Sequence, residues 1–448
     1  MEDLQPKPTL YSKTSIYALL SFFLLLALII KIDRHRKRNL PPGPPKPIIG
    51  NIHQLGRLPH HNLTTLAQKH GPLMHLQLGQ ITSIVVGSPE IAEKVLKTYN
   101  LVFASRPAMA VRKICIMELL SAKRVQSFSF VREEETTHFV GSIMEVSHTP
   151  VNLTHRIFSV VSCVVERLAL GRKYVIEVSS AFAIEALYPP LGFISILSGT
   201  RARMKKVHKK LDSFFDKVIE EHEMNGKGHE DEQGDLVNVL LRLQKEGDGA
   251  VQLTRDNIKA IILDMFIAGI ETSSSTLGWA MAELMNNPQV MEKVQKEVRH
   301  ALKGKERVGE GQVLEYLKLV LKETLILNAP FPLLIPRESM KTCSLEDYLK
   351  NPEKFEPERF SDGLVDYKGQ YFDFIPFGGG RRGCPGALFS MATAELVFAQ
   401  LLYYFDWKLP KGMKPEEMDM SESCGITASR KRDLVLIPIP LFISSRIS

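Results

Sequence analysis

The chain has 448 residues, of which 44% are hydrophobic and 24% charged, and its formal net charge is +7. This length allows a large buried core, and no linker divides the chain after its N-terminal segment. The five cysteines are odd in number and without paired spacing, which indicates a reducing compartment and argues against a disulfide framework or a zinc site built from them.

The positive charge is concentrated near the N-terminus. Between Lys31 and Lys46, six basic residues accompany the single acid Asp33. No basic stripe with interleaved aromatic residues occurs elsewhere in the chain. The composition therefore argues against nucleic acid as a partner.

The N-terminal segment, residues 1–32, is predicted to be a membrane anchor in contact with lipid. Ile16–Ile30 is almost wholly apolar, although slightly shorter than the ~20 residues of a typical spanning helix, and Lys31 can snorkel. The basic cluster that follows predicts a cytosolic C-terminal side. A cleavable signal peptide would carry its charge before the apolar run. A buried core helix is the alternative, but no amphipathic period supports it.

Residues 33–50 form a basic, proline-rich hinge, because the prolines of Leu40–Pro47 cannot continue a helix and set a stiff connector. The remaining residues, 51–448, are predicted to form one domain. It opens with a β-hairpin, since Leu73–Leu78 and Ile81–Val86 alternate around Gly79 and Gln80. From Val102 to Thr342 the pattern is mostly helical, and an apolar stripe over 204–219 favours core packing over a ligand surface.

A long helix is predicted over residues 254–285, with Thr254 as its N-cap. Within it, Ala268 and Gly269 leave a groove beside the backbone, and Thr272 can insert its hydroxyl into the helical ladder and leave room for water. Glu271 can relay protons into that space. A helix kink with a solvated glutamate is the alternative interpretation.

Near the C-terminus, Pro376–Gly386 is a glycine-dense loop that runs into an apolar helix. Its Cys384 lies two residues after Arg382 and just before the helix N-terminus, an environment that favours a thiolate. Such a thiolate can serve as a proximal ligand to haem iron. The alternative is a structural cysteine in a glycine-rich turn.

These segments resemble those of the cytochrome P450 family. The spacing of Phe377, Gly380, Arg382, Cys384 and Gly386 is similar to the haem-ligand loop of that family, and Ala268–Ser273 resembles its oxygen-activation motif. Two further matching segments are Tyr316–Ile326 and Pro357–Phe360. The resemblance extends from the anchor to the apolar run Leu434–Ile443.

The resemblance implies a mainly α fold with small β-sheets (α+β) and a haem b whose iron is bound by the Cys384 thiolate. It implies proton delivery by Thr272 and Glu271. The other residues that it assigns to the cofactor are Phe377, Gly380, Arg382, Gly386, Arg337, Arg112, Ala268 and Gly269. It further implies a pocket formed by Ala268, Phe331–Leu334 and Ile426.

Similarity is closest to plant microsomal members that hydroxylate terpenes. The implied reaction inserts one oxygen atom of O2 into a C–H bond of a small apolar substrate. Its electrons come from NADPH-cytochrome P450 reductase. The implied location is the endoplasmic reticulum membrane, with a single N-terminal anchor and a cytosolic catalytic domain.

The chain departs from the family at three places. Position 326 is Ile, where the family has an arginine that pairs with the glutamate at 323. The segments around Ser105–Ile114 and Pro336–Pro352 are shortened. These departures favour a catalytically inactive relative, or a splice or pseudogene product, as one alternative. A reductase-independent haem-thiolate isomerase or dehydratase is the other, and the pair Glu271–Thr272 argues against it.

Overall fold

The computed structural model describes residues 40–45, 50–79, 81–103, 120–173, 200–225, 234–246, 253–305, 308–337, 355, 357–361, 366–367, 369–423 and 427–441. The predicted anchor and most of the predicted hinge lie outside these residues.

The first half of the described chain begins with a small sheet and continues in helices. Its helices and strands are α1 (Pro59–His70), β1 (Leu73–Leu78), β2 (Ile81–Val86), α2 (Pro89–Glu93), α3 (Ala122–Ser127), α4 (Ser129–Met144), β3 (Val151–Asn152), α5 (Leu153–Leu170), α6 (Thr200–Asn225) and α7 (Leu236–Glu246).

The second half contains the longest helix and ends in strands. Its elements are α8 (Arg255–Asn286), α9 (Pro288–Ala301), α10 (Glu315–Leu327), α11 (Ala387–Tyr404), β4 (Phe405–Lys408) and β5 (Val435–Pro440). Short 3-10 turns cover Pro357–Phe360 and Gly380–Arg382. The described chain is thus mainly helical with small sheets, as the sequence predicts.

The predicted hairpin is confirmed, since β1 and β2 pair antiparallel from Leu73–Val86 to Leu78–Ile81. A second, three-stranded sheet has the order β3-β5-β4 and joins the middle of the chain to its C-terminal part. Helices α4, α5, α8, α10 and α11 supply most of the main hydrophobic core, and the three-stranded sheet contributes Val151, Phe405, Trp407 and Leu436 to it.

Helix α8 begins where the sequence predicts. The Thr254 hydroxyl accepts a hydrogen bond from the Asn257 backbone N–H (3.2 Å), and the Asn257 side chain accepts one from the Thr254 N–H (3.1 Å). This capping box satisfies two donors that the first turn would otherwise leave open. Both α8 and α11 are long and apolar enough to cross a membrane by composition alone. Residues of both belong to the main core, so they are core helices.

The turn Pro357–Phe360 is fixed to the helical core through Glu358. Its carboxylate accepts hydrogen bonds from the Tyr316 hydroxyl (2.8 Å) on α10 and from the Lys293 ammonium (2.8 Å) on α9. The Lys293 ammonium also lies 4.0 Å from the centre of the Tyr316 ring. These contacts, chiefly the bond from Lys293, lower the pKa of Glu358.

We expect Glu358→Gln to destabilise the protein at pH 7 by about 0.5–1 kcal/mol, because two charge-assisted contacts at a half-exposed site are weakened. A carboxyl whose folded pKa is depressed contributes stability above its unfolded pKa, about 4.3, and loses it as the pH falls through the folded value. Urea midpoints of the wild type and the variant should therefore differ at pH 7, and the difference should shrink below about pH 4.3 and vanish below the folded pKa. Glu292→Gln, at an exposed pair with Lys296, is the control and should change little. Equal midpoints at pH 7 would contradict an anchoring role for Glu358.

Candidate active site

The loop that carries Cys384 is closed by its own backbone. The Cys384 N–H donates to the Phe377 carbonyl (2.7 Å), and the Gly383 N–H donates to the Gly380 carbonyl (3.1 Å). Helix α11 begins three residues after the cysteine, with Gly386 at its N-cap. Cys384 is exposed, whereas helix α11, which follows it, is mostly buried. The cysteine therefore lies at the exposed end of a buried helix.

Two glycines of the loop have backbone conformations that other residues rarely adopt, with φ of +67° at Gly378 and +63° at Gly380. At Gly380, a Cβ would also lie 2.0 Å from the Leu96 carbonyl oxygen. A Cβ at Gly386 would lie 3.8 Å from the Cys384 Sγ, an ordinary contact distance. Gly380 is thus required for the loop to pass close to the backbone at Leu96. The absence of a side chain at Gly386 leaves space beside the sulfur.

The segment after α10 lies against the loop. The Arg337 guanidinium donates to the Gly379 carbonyl (3.1 Å), and Leu334 approaches the position that a Cβ of Gly378 would occupy (3.9 Å). Arg382, in the 3-10 turn before the cysteine, is partly buried like Arg337. Two cationic side chains therefore belong to the immediate surroundings of the loop. Phe377 is half-buried and packs its ring edge-on against Tyr367 at 5.6 Å between centroids.

The structure brings the predicted oxygen motif to the same place. Ser273 on α8 is buried, and its hydroxyl lies 3.1 Å from the hydroxyl of Ser390 on α11. Ser273 follows Thr272 directly, and Ser390 lies six residues after Cys384. The two motifs, more than a hundred residues apart in sequence, are joined at the crossing of two core helices.

Within α8, Thr272 is partly buried, and its hydroxyl donates to the Ala268 carbonyl one turn earlier. The helix is nevertheless continuous from Arg255 to Asn286. Ala268 and Glu271 are exposed. The hydroxyl is thus already engaged with the helical backbone, as the sequence predicts, and the carboxylate is open to water.

Gly269 lies close to helix α5. A Cβ at this position would lie 3.3 Å from a methyl group of Val165 on α5. The missing side chain therefore allows α5 to approach α8 closely. Of the small pair predicted to form a groove, Ala268 is exposed and Gly269 is partly buried.

The structure describes only some of the remaining predicted residues. Arg112 and Ile426 lie outside the described residues. Of the predicted pocket segment, Leu333 is about half exposed, as are its neighbour Ile335 and Ile267 on α8. These exposed apolar side chains are available to contact an apolar ligand.

Sequence reasoning missed the contacts that support α8 from behind. The Ala428 carbonyl accepts hydrogen bonds from the Ser275 hydroxyl (2.9 Å) and the Trp279 indole (3.1 Å). The Ala428 N–H donates to the Pro330 carbonyl (2.9 Å), just after α10. A small residue in a loop carries no periodic signal in the sequence. Only the folded structure shows that Ala428 connects α8 with the segment after α10.

A buried carboxyl cluster near position 326 was also missed. Glu323 is fully buried, and Glu283 accepts a hydrogen bond from the Asn328 amide (2.9 Å). Burial raises the pKa of Glu283, and the Glu323 charge adds to this effect. Burial lowers the pKa of Arg430, whose guanidinium lies 5.4 Å from the centre of the Trp279 ring. Ile326 itself packs against the core.

These residues fit a haem group. An exposed thiol before a helix N-terminus offers the iron a soft anionic ligand, and flanking guanidinium groups suit carboxylate substituents. The exposed apolar side chains suit a flat macrocycle and an apolar substrate. The arrangement is that of a haem-thiolate protein.

Comparison with known proteins gives the same class. The family model described as cytochrome P450 matches residues 40–111, 108–350 and 346–437. The chain belongs to the cytochrome P450 family, whose members are haem-thiolate monooxygenases that bind the haem iron through a cysteine, here Cys384.

Several relatives are similar over almost their full length. Premnaspirodiene oxygenase of Hyoscyamus muticus is 42% identical over 96% of this chain and 98% of its own. Desmethyl-deoxy-podophyllotoxin synthase of Sinopodophyllum hexandrum is 42% identical over 94% and 95%. Costunolide synthase of Tanacetum parthenium is 40% identical over 95% and 97%.

The comparisons also bear on the shortened segments. The family match breaks into three parts, with junctions at 108–111 and 346–350. These are the two places where the sequence predicts missing residues. The first alignment spans 494 positions, more than the 448 residues of this chain, so that relative has residues without a counterpart here.

We expect Gly380→Ala to lose most of the haem absorbance per mole of purified protein. The added methyl group combines a strained φ with a clash against the Leu96 carbonyl, so the loop has to move. Gly412→Ala is the matched control, because Gly412 has a φ of +69° with no heavy atom within 4 Å. It should cost about 1 kcal/mol of stability and leave haem binding intact. Equal haem contents of the two variants would show that the contact with Leu96 does not matter.

Proposed function

We propose that this protein is a membrane-anchored monooxygenase that hydroxylates a small apolar substrate, a terpenoid, with O2 and electrons from NADPH-cytochrome P450 reductase. The observation that supports the proposal is the contact between the hydroxyls of Ser273, which follows Thr272, and Ser390, six residues after Cys384 (3.1 Å). The similarity to premnaspirodiene oxygenase and costunolide synthase supports a terpenoid substrate.

In this proposal the haem, when bound, supplies the activation of dioxygen and the oxidation of a C–H bond. Cys384 holds the iron, and Arg382, Arg337 and Arg112 bind the propionates. Exposed apolar residues such as Ile267 and Leu333 remove the substrate from water, which favours apolar molecules.

Thr272 and Glu271 have separate tasks. The Thr272 hydroxyl donates to the Ala268 carbonyl, which orients its lone pairs so that it can accept a hydrogen bond from a water. Glu271 is exposed and can exchange protons with solvent. Protons then pass from solvent through Glu271 to the water that the Thr272 hydroxyl holds.

The proposed location is the endoplasmic reticulum membrane. Ile16–Ile30 would insert into lipid and Lys31–Arg38 would stay on the cytosolic side. Residues 33–50 would form the hinge, and 51–448 the catalytic domain. This part of the proposal is supported by the sequence alone.

The central test is spectroscopic and catalytic. The purified protein is reduced under carbon monoxide, its Soret band is recorded, and reductase, NADPH and a terpene are added. A thiolate-type band and NADPH-dependent hydroxylation are expected, and Cys384→Ser should abolish both. Turnover without NADPH would identify an isomerase or dehydratase instead, and the absence of a thiolate-type band would refute haem-thiolate catalysis in this form.

We expect Thr272→Val to lower the product formed per NADPH on the order of 10²-fold, because the hydroxyl that positions the proton-delivering water is removed. Thr276→Val is the control, since the Thr276 hydroxyl makes the same bond one turn later, to the Thr272 carbonyl (3.0 Å). It should keep the wild-type yield. The measurement is product against NADPH consumed at equal haem content, and a full yield from Thr272→Val would refute the proposed role.

A catalytically inactive relative is the second candidate. Ile326 in place of the family's arginine, next to the fully buried Glu323, favours it, as do the two breaks in the family match. A buried ion network that lacks one member is weakened by roughly 3–5 kcal/mol, a large part of a typical total stability. Poor haem retention would then limit activity.

We expect Ile326→Arg to raise the haem content and the thermal midpoint of the purified protein, because a cation is restored beside buried carboxyl groups. Ile326→Leu keeps the apolar contact with the core and should behave like the wild type. Haem content is measured per mole of protein after gel filtration. A lower haem content in Ile326→Arg would show that the surrounding core has adapted to isoleucine.

A further inference from the structure

Two imidazoles and one carboxylate meet far from the cysteine loop. The His60 Nε2 lies 2.8 Å from the Glu422 Oε2, and the His61 Nε2 lies 3.5 Å from the same oxygen. The three ligand atoms all lie within 4.8 Å of one another. The two imidazole rings are tilted by 40° with centroids 4.4 Å apart, so both point their outer nitrogens at one carboxylate.

The backbone that carries the three residues is held by secondary structure, a helix for the two histidines and a β-bridge for the glutamate. His60 and His61 belong to the first turn of α1, after Pro59. Glu422 forms a β-bridge with Arg430, and the adjacent Ser423 N–H donates to the Ser429 carbonyl (2.8 Å). A helix end and a short hairpin, separated by about 360 residues in sequence, therefore present their side chains to a common point.

The chemistry of the cluster suits a borderline divalent cation. Zinc binds imidazole nitrogen and carboxylate oxygen at about 2.0–2.2 Å, which places neighbouring ligand atoms roughly 3.3–3.5 Å apart in a tetrahedron. The His60 Nε2 and His61 Nε2 lie 2.8 and 3.5 Å from the Glu422 Oε2, comparable to these separations. Glu422 is mostly buried. His61 is largely exposed, which leaves an open side for water as the fourth ligand.

We propose that His60, His61 and Glu422 form a zinc site, with water as its fourth ligand, that clips helix α1 to the C-terminal hairpin formed by the bridged segments around Glu422 and Arg430. The hairpin continues to Ala428, whose carbonyl holds Ser275 and Trp279 of α8. An ion at this site connects the N-terminal part of the described chain with the region that supports α8. The proposal is independent of the reaction that the haem site performs.

The test is a zinc titration of the full-length, haem-loaded protein in competition with a chromogenic chelator. One tightly bound zinc per chain is expected from this site. His61→Asn and Glu422→Gln should each weaken that binding by about 100-fold or more, since loss of a direct ligand exceeds the 10- to 100-fold effect of outer-sphere changes. Zinc should also raise the thermal midpoint of the wild type but not of these variants.

His70→Asn is the matched control, because His70 is the last residue of α1, roughly 15 Å along the helix from His60. It should bind zinc like the wild type. Only haem-loaded protein is titrated, because its Cys384 thiolate is bound to the iron and does not capture zinc. Undiminished binding in both His61→Asn and Glu422→Gln, or no saturable binding by the wild type, would overturn the proposal.

Discussion

The hydroxyl contact between Ser273 and Ser390 fixes α8 against α11 at the point where the active site has to form. A haem-thiolate site needs a proximal cysteine and a distal helix at a set separation, because a flat group fills the space between them. Here each of the two serines lies within a few residues of the motif it positions. Arg132 supports the same crossing from the other side, since its fully buried guanidinium lies over the ring of Phe389 on α11 and donates to Glu310 (2.7 Å).

The parts of the site that the sequence predicted are those with local causes. The Thr254 cap, the hairpin of β1 and β2, and the glycine loop around Cys384 each depend on residues close together in the chain. Turn chemistry and capping are short-range rules, so a single sequence contains them. The resemblance to the family then supplied the relation between distant motifs, which no periodicity in this chain contains.

The parts that were missed have non-local causes. The approach of Val165, on another helix, to Gly269 depends on packing that the sequence of α8 does not contain. Ser273 and Ala428 matter because of partners more than a hundred residues away. A small residue on a helix has the same appearance in sequence whether a ligand or a second helix approaches it, and only the packed structure distinguishes the two.

Position 326 lies on α10, one of the helices that hold the chain segment before the cysteine loop. The turn Pro357–Phe360 is tied to α10 and α9 through Glu358, Tyr316 and Lys293, and none of these bonds uses position 326. The loss of the arginine thus leaves one attachment of this turn in place while changing the surroundings of Glu323. Near it, the Asn328 amide donates to Glu283, so one buried carboxyl has a neutral donor where burial disfavours charge. Two carboxyl groups in one core region are easier to accommodate when one of them is protonated. The isoleucine is therefore compatible with a folded core.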